Sequence, residues 1–507
     1  MKRLIKLLTI AMLVPFSMQA QDLADALRYS NLQAQGTARA GAMGNAFGAL
    51  GGDFTSVSIN PAGLGVYRSG ELTLTPAFGQ VSVESNYLGN SMDDNLYNFS
   101  FNNLSYVAAI ETRNTSESGM VNFNIGIGYN RLKDFNSEMI AGVGNANNSF
   151  LDYVTSYANA NNFNPDGNNT YTSDFYEQLA WDTDLLLREN ETGIYWHDLE
   201  EAGYGQLQRK SISRQGSVDE YSLAMGMNFN HKLYLGASLG VTDVYYKESS
   251  RLLEEDTNGS IPFFNEMEFD SYLRTTGTGY NGKLGIIYKP TQQIRLGASV
   301  HTPTFYNLND VFETSMYSSV TYEDGETATY DEISPYSEYN YDLETPMRAT
   351  LSGAFVIAKK GLLSVDYEFV DYGSASLRRG GDGYDFVDEN GEIAEAYKSV
   401  GNLRLGGELK VTNEISLRAG FENYPSPYNS EAFGQSQPNS DAGLSVYSAG
   451  LGYRQGGFFF DVAYRYSDQE NNDLLYPEPV TDNYNSPQMA QFNTVKNKVL
   501  FTLGFKF

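Results

Sequence analysis

The chain holds three histidines, His197, His231 and His301, and no cysteine. That inventory limits its covalent and metal chemistry. Without thiols there are no disulfides, thiolate nucleophiles or thiolate zinc sites. A serine hydrolase needs a histidine that can meet its serine. His197 falls in a long polar segment, His231 in a tight turn and His301 in an alternating run, and no nucleophile motif accompanies any of them. Scattered histidines make no haem or zinc ligand set. The reading is therefore of a protein that is not an enzyme, with no cofactor, metal site or catalytic residue. Carboxylates are plentiful. Glu323, Asp324, Glu326, Asp331 and Glu332 fall within 321–335, and Asp382, Asp385, Asp388, Glu389, Glu392 and Glu395 within 381–396, with no basic residue in either stretch. The spacing is not that of an EF-hand loop, so these read as solvated acidic loops. A net charge of −28 argues against nucleic acid as a partner.

Glycines are the other residues with informative spacing. Gly41, Gly44, Gly48, Gly51 and Gly52 crowd one short segment. A phosphate loop would need a preceding strand and a closing Gly-Lys-Ser/Thr, and neither is there. On a helical turn the first four share a face and permit close backbone contact. The run ends at Asn60-Pro61-Ala62. Pro61 fixes its own φ and steers Ile59-Asn60 away from helix. The Asn60 side chain closes such a turn onto nearby backbone.

What must position this segment follows from the rest of the chain. Lys2, Arg3 and Lys6, an apolar core over 7–14 and Ala20 read as a secretory signal cut after residue 20. The last residues alternate strictly: Val499, Phe501, Leu503, Phe505 and Phe507 point one way, Leu500, Thr502, Gly504 and Lys506 the other. A period of two is a strand. Alternating runs recur at 71–84, 99–112, 120–140, 217–230, 233–248, 267–289, 292–313, 340–358, 362–374, 399–411, 414–423, 443–454, 457–467 and 496–507, fourteen in all. Turns such as His231-Lys232, Pro290-Thr291 and Gln455-Gly456 alternate with long segments, the longest at 141–216, where short helices are expected at 150–158 and 175–187. Short periplasmic turns and long outer loops belong to outer-membrane barrels. The fold class expected is all-β: a membrane-spanning antiparallel β-barrel of about 14 strands over 70–507. Lipid faces Tyr221, Leu223 and Met225, whereas Asp366, Glu368, Arg404, Glu408, Arg418, Glu422, Asp461 and Arg465 must point inward, since a lipid-facing Arg or Lys at mid-depth costs about 2–4 kcal/mol. Residues 21–69 are too long for a tail and too poor in large apolar side chains for a domain. They fit inside the barrel as a hatch.

The stretch "GTARAGAMGNAFGALGGDFTSVSINPAGLG", residues 36–65, resembles the N-terminal hatch of the FadL-like long-chain fatty acid transporters of the bacterial outer membrane. The matching positions are Gly36, Arg39, Ala40, Gly41, the small residues through Gly44 to Gly48, Asp53, Ser58 and Asn60-Pro61-Ala62. The resemblance implies uptake of hydrophobic molecules, foremost long-chain fatty acids. In that family the ligand passes from an outer groove to an inner pocket, the hatch rearranges, and the ligand leaves through a side opening at a kinked third strand. Gly126 and Gly128 in the third run place that opening here, because glycine inside a strand often marks a bend. The resemblance also implies that the mature N-terminus reaches the pocket, with Leu23 and Leu27 on a short helix. Its partners would be a hydrophobic small-molecule ligand, outer-membrane lipid and, during biogenesis, the barrel-assembly machinery, and the barrel would work as a monomer. A surface-binding or adhesive barrel and a passive porin are the alternatives. Saturable uptake of apolar solutes distinguishes the transporter from both.

Overall fold

The computed structural model describes residues 23–112, 119–165, 175–357, 360–481 and 483–507. The secretory signal expected over 1–20 lies outside these residues. Fourteen antiparallel strands form the barrel: β1 (Glu71–Tyr87), β2 (Asn90–Glu111), β3 (Met120–Asp134, resuming as Ser137–Val143), β4 (Leu207–Phe229), β5 (Leu233–Glu255), β6 (Phe264–Tyr288), β7 (Ile294–His301, resuming as Phe305–Thr321), β8 (Ser337–Glu344, resuming as Arg348–Ile357), β9 (Gly361–Asp371), β10 (Ser399–Lys410), β11 (Ile415–Tyr424), β12 (Leu444–Gln455), β13 (Phe458–Leu474) and β14 (Met489–Lys506). The β1–β14 ladder, from Glu71↔Lys506 to Asn86↔Gln491, closes the sheet on itself and removes its edges.

The faces follow the alternation. Phe78, Phe99, Leu104, Tyr106, Leu223, Leu284 and Leu351 are exposed on the outer wall. Their aromatic members pack tilted or edge to face, Phe99 lying about 5 Å from Phe78 on the neighbouring strand and from Phe101 on its own. Charged residues of β9, β10, β11 and β13 are buried on the inner side. Pro76 sits at a register shift in β1, where a residue without an N–H is tolerated.

Strand ends differ from those expected. The β1–β2 hairpin pairs as far as Tyr87↔Asn90, across the gap left between 84 and 99. β4 begins at Leu207 and β3 runs on to Val143, so the long loop expected at 141–216 spans 144–206. Beyond the membrane a strand no longer needs an apolar outer face, and the alternation that identifies it fades. The loop does carry helices, α3 (Phe150–Ala160), α4 (Glu177–Asp182) and α5 (Asp198–Ala202). Ser149 starts α3 with a capping box: its Oγ accepts from Leu151 N–H (3.0 Å) and its own N–H donates to Asp152 Oδ2 (2.7 Å). The buried face of α3, with Phe150, Leu151, Val154 and Tyr157, packs on Val81, Val83, Met267, Phe269 and Phe492 of the wall. Each such side chain contributes roughly 1.5–3 kcal/mol on burial. The loop is thus a cap driven into the outer mouth.

The other mouth is filled by the hatch, α1 (Leu23–Ser30), α2 (Ala38–Ala42) and two 3₁₀ turns, Phe54–Ser58 and Pro61–Val66. It meets the wall backbone to backbone. A Cβ on Gly236 of β5 would lie 2.2 Å from Pro61 C and Ala62 N; one on Gly226 of β4 would lie 2.3 Å from Gly65 N; one on Gly420 of β11 would lie 2.0 Å from Gly44 N. Wall glycines therefore face each tight turn of the hatch.

Gly236→Ala is expected to unseat the hatch, costing about 1–3 kcal/mol, whereas Gly353→Ala, whose Cβ would meet only Val365 Cγ1 at 3.6 Å, is expected to be silent. Protease cleavage within 36–69 of the purified variants tests this. In the cap, burial pushes the Asp198 carboxyl up to about 6. A raised carboxyl favours the protonated form when folded, so the contribution is present at low pH and is lost as pH rises through about 6. Nicking of the 190–206 stretch should increase above that pH, and Asp198→Asn should flatten the profile.

Candidate functional site

An irregular segment inside a barrel must find partners for its backbone groups. Here the wall supplies them. Asn122 and Asn124 of β3 donate to the carbonyls of Gly65 (3.2 Å) and Leu64 (2.8 Å), and both donate to that of Tyr67. Ser299 Oγ and His301 Nε2 of β7 approach the Ile59 carbonyl at 2.7 and 2.9 Å, which places the His301 proton on Nε2. Arg295 donates to Leu50 O (2.8 Å), Gly48 N–H donates to Asp366 Oδ2 (2.9 Å), and Ala38 N–H donates to Thr502 Oγ1 (2.7 Å).

Asn60 is the densest junction. Its Oδ1 accepts from Ala62 N–H (3.1 Å) and so caps the 3₁₀ turn that Pro61 begins. Its Nδ2 donates to Gly48 O (2.7 Å) and to Ile286 O of β6 (3.1 Å). One side chain thus closes its own turn, ties two parts of the hatch and fastens both to the wall. Asp53 plays a similar part within the hatch: Oδ1 accepts from Thr55 N–H (3.0 Å) and Oδ2 from Thr37 Oγ1 (2.7 Å). Gly41, Gly44 and Gly48 lie along the same surface, facing Arg465, the β10–β11 backbone and Ser352 respectively. Ion pairs extend the attachment. Arg39 reaches Glu408 (3.1 Å), which also takes Arg418 (2.7 Å), and Arg418 reaches Asp461 (2.5 Å). Arg465 pairs with Glu422 (2.7 Å), and Ser58 donates to Glu220 (2.8 Å), itself paired with Lys283.

Above the hatch lies a cavity of about 190 Å³. Segment 31–35 lines it through Asn31, Gln33 and Gln35, the wall through Val81, Leu132, Lys133, Asp134, Lys496 and Lys498 among others. Leu23 and Leu27 do not line it. They pack half-buried against an apolar cluster that includes Ala26, Tyr29, Tyr341 and Ile393. The cavity's charges are unequal. Lys498 meets Asp134 (3.3 Å), Lys133 donates to Arg28 O (3.0 Å), and the Lys496 ammonium makes no ion pair or hydrogen bond among the described residues.

Beside this cavity the wall is interrupted. The β2–β3 ladder stops at Asn103↔Asn130. β3 shifts register between Arg131 and Lys133 against β4, breaks at Phe135-Asn136 and resumes at Ser137 paired only with β4. Its continuation lies against the inner face of β1, where Ser85 Oγ donates to Ile140 O (2.5 Å). Residues 91–102 of β2 therefore have no ladder partner on that side among the described residues. Gly126 and Gly128 sit below the interruption, paired on both sides with Val107 and Ala224, and with Ser105 and Ser222. They face inward: a Cβ on Gly128 would lie 2.5 Å from the Phe54 ring. Their smallness admits the hatch. The break falls inside the run expected at 120–140, and neither Phe135 nor Asn136 is a residue that forbids a strand.

The three histidines lie apart, in the cap, a periplasmic turn and the wall, with His197 buried against Asp152 (Nε2 to Oδ1, 3.1 Å).

The family described as Outer membrane protein transport protein (OMPP1/FadL/TodX) matches residues 198–507. Among solved structures, the chain is similar to a Pseudomonas aeruginosa FadL homologue, with a TM-score of 0.55 and 14% identity over 94% of this chain and 98% of that one. It also resembles a TodX deltaS2S3 mutant monoaromatic hydrocarbon channel (TM-score 0.50, 13% identity, 94% and 99% covered). The Pseudomonas putida toluene transporter TodX gives 0.49, 14%, 92% and 97%. At these identities the likeness is one of fold. No curated protein is significantly similar in sequence.

Asn60→Ala removes three hydrogen bonds and leaves the buried Gly48 carbonyl without its Asn60 donor, a loss of about 2–4 kcal/mol. The barrel should still close, but the hatch should no longer seal it. Single-channel recordings in planar bilayers are expected to show ion conductance for the variant and none for the parent; equal traces would mean that Asn60 does not hold the seal.

Proposed function

The chain belongs to the OMPP1/FadL/TodX family of outer membrane transport proteins, and on that footing we propose that it takes up long-chain fatty acids and similar anionic amphiphiles. Family and fold make it an outer-membrane β-barrel transporter of hydrophobic compounds, and no catalytic step belongs to that role. The choice of an anionic cargo over a neutral hydrocarbon rests on one observation: the cavity beside the interrupted wall holds more cations than carboxylates, with Lys133 in no ion pair and Lys496 facing only Asp134, which Lys498 already holds. A carboxylate headgroup would supply the charge-assisted partner. Val81, Leu132 and Tyr372 give the first part of an alkyl chain an apolar contact.

The proposed path follows from what is closed. The cap fills the outer mouth and the hatch the inner one, which argues against a passive porin. The remaining way out is the wall between residues 91–102 of β2 and 131–143 of β3, and an apolar chain gains by leaving through it into lipid. We place the side opening there, above Gly126 and Gly128. The cavity is smaller than the roughly 300 Å³ at which small-molecule sites begin. A long chain therefore needs segment 31–35 or α1 to shift, and Leu23 and Leu27 would then meet its tail. The hatch motif, Asp53 and Asn60-Pro61-Ala62 with Gly41, Gly44 and Gly48, acts as the fixed end of that movement. Each barrel works alone, and the barrel-assembly machinery inserts it.

Uptake of labelled oleate and labelled toluene by cells lacking their own transporter tests the proposal. The parent should take up oleate saturably. Lys496→Ala with Lys133→Ala should lower oleate uptake about tenfold or more, the loss of charged hydrogen bonds, and leave toluene entry unchanged at equal surface level. Toluene uptake without oleate uptake would overturn the choice of cargo.

A further inference from the structure

The acidic balance of the chain is not evenly spread. The outer loops hold the acidic clusters at 321–335 and 381–396, whereas the periplasmic turns hold Lys232, Lys289, Lys360, Lys410 and Arg454. Among the described residues, Glu111 and Glu414 are the exposed acids at that rim. Inside the rim, on the periplasmic face of the hatch, is a pocket of about 290 Å³. Four cations line it, Arg39, Arg68, Arg295 and Lys506, together with Ser69 and the Gly51-Gly52 backbone, and no carboxylate does.

Two of these charges are met. Arg39 pairs with Glu408 and Lys506 with Glu71, each at 3.1 Å. The other two are not. Arg68 is exposed and forms no ion pair among the described residues. Arg295 donates one Nη1 bond to Leu50 O, while its buried Nε has no protein partner. The buried Arg295 Nε is costly to leave without a partner, and a guanidinium's fork of donors matches phosphate oxygens.

We propose that this pocket binds a phosphate group presented from the periplasm. Two unmatched positive charges fit inorganic phosphate, which carries about −1.5 to −2 at neutral pH; a phospholipid's phosphodiester carries a single negative charge but offers the same oxygens to the guanidinium forks. The pocket lies within the ring of strands, so the phosphate comes either from free solute or from a phospholipid headgroup that reaches across the rim, where the lysines attract it. Arg39 belongs both to the pocket and to the Glu408 tie. A bound phosphate competes for that arginine and so bears on how firmly the hatch is held, whatever the cargo above.

The test uses the full chain in nanodiscs and reads phosphorus NMR line width. One arm titrates inorganic phosphate into zwitterionic discs. The second adds phosphatidylglycerol to the discs without free phosphate. Saturable broadening is expected in at least one arm, and the responding arm identifies the source. Arg68→Gln should weaken it about tenfold, as loss of a charged hydrogen bond does, and Arg68→Gln with Arg295→Gln should abolish it. Lys232→Gln with Lys410→Gln, on the rim, should leave inorganic phosphate binding intact. Arg68 is exposed and makes no hydrogen bond or ion pair among the described residues, so its loss spares the fold. Equal broadening in the parent and in Arg68→Gln, or none in either arm, overturns the proposal. So does saturable binding of a poly-glutamate peptide with neither phosphate source bound, which would mark the face as a dock for an acidic protein.

Discussion

A backbone without regular structure cannot be buried unless something answers its N–H and C=O groups. The structure of this transporter depends on that constraint. A helix or a closed sheet answers its own; the hatch does so only within its short helices and turns. Its carbonyls are met by Asn122, Asn124, Ser299, His301 and Arg295, side chains that a barrel would otherwise have no reason to point inward. The wall glycines follow from the same requirement, since such bonds form only if the two backbones come close. Asn60 is then intelligible as the residue that answers three backbone groups at once.

The ends and the middle of the barrel obey different rules. The cap is held by one large apolar core with α3 at its centre, the hatch by small apolar clusters joined by directional polar contacts. Apolar packing tolerates small slides, whereas a bonded network is held or released as a unit. Between them the wall is left unpaired where β3 turns inward, and the unmatched lysines lie beside that interruption.

Much of this was legible in the sequence. The strand count, the inner charges and the hatch followed from alternation and from a glycine-rich run closed by Asn-Pro-Ala, because lipid imposes its pattern on every spanning residue. Strand ends were not legible: Gln208 and Glu254 lie on strands, yet no lipid marks their faces. The glycines of β3 were informative in another sense than a bend. Gly128 is small because Phe54 is large, and a contact between residues so distant in sequence leaves no local signature. The break at Phe135-Asn136 was equally hidden, because it arises from where the chain must go, inside β1, rather than from a residue that forbids a strand. The cations of the periplasmic pocket come from the hatch, β7 and β14, and only the fold brings them together.

The bond from Ala38 N–H to Thr502 Oγ1 joins residues 464 positions apart. Ala38 emerges from the ribosome early and Thr502 among the last. No arrangement of the first seventy residues alone can supply Asn122, His301, Asp366 or Thr502, so the hatch has no stable state of its own to reach early. Contacts this remote in sequence form slowly and only after loop closure is complete. The segment made first is thus the segment settled last, and for the whole of assembly it must travel as an open, glycine-rich strand of chain until the final strand has joined the first.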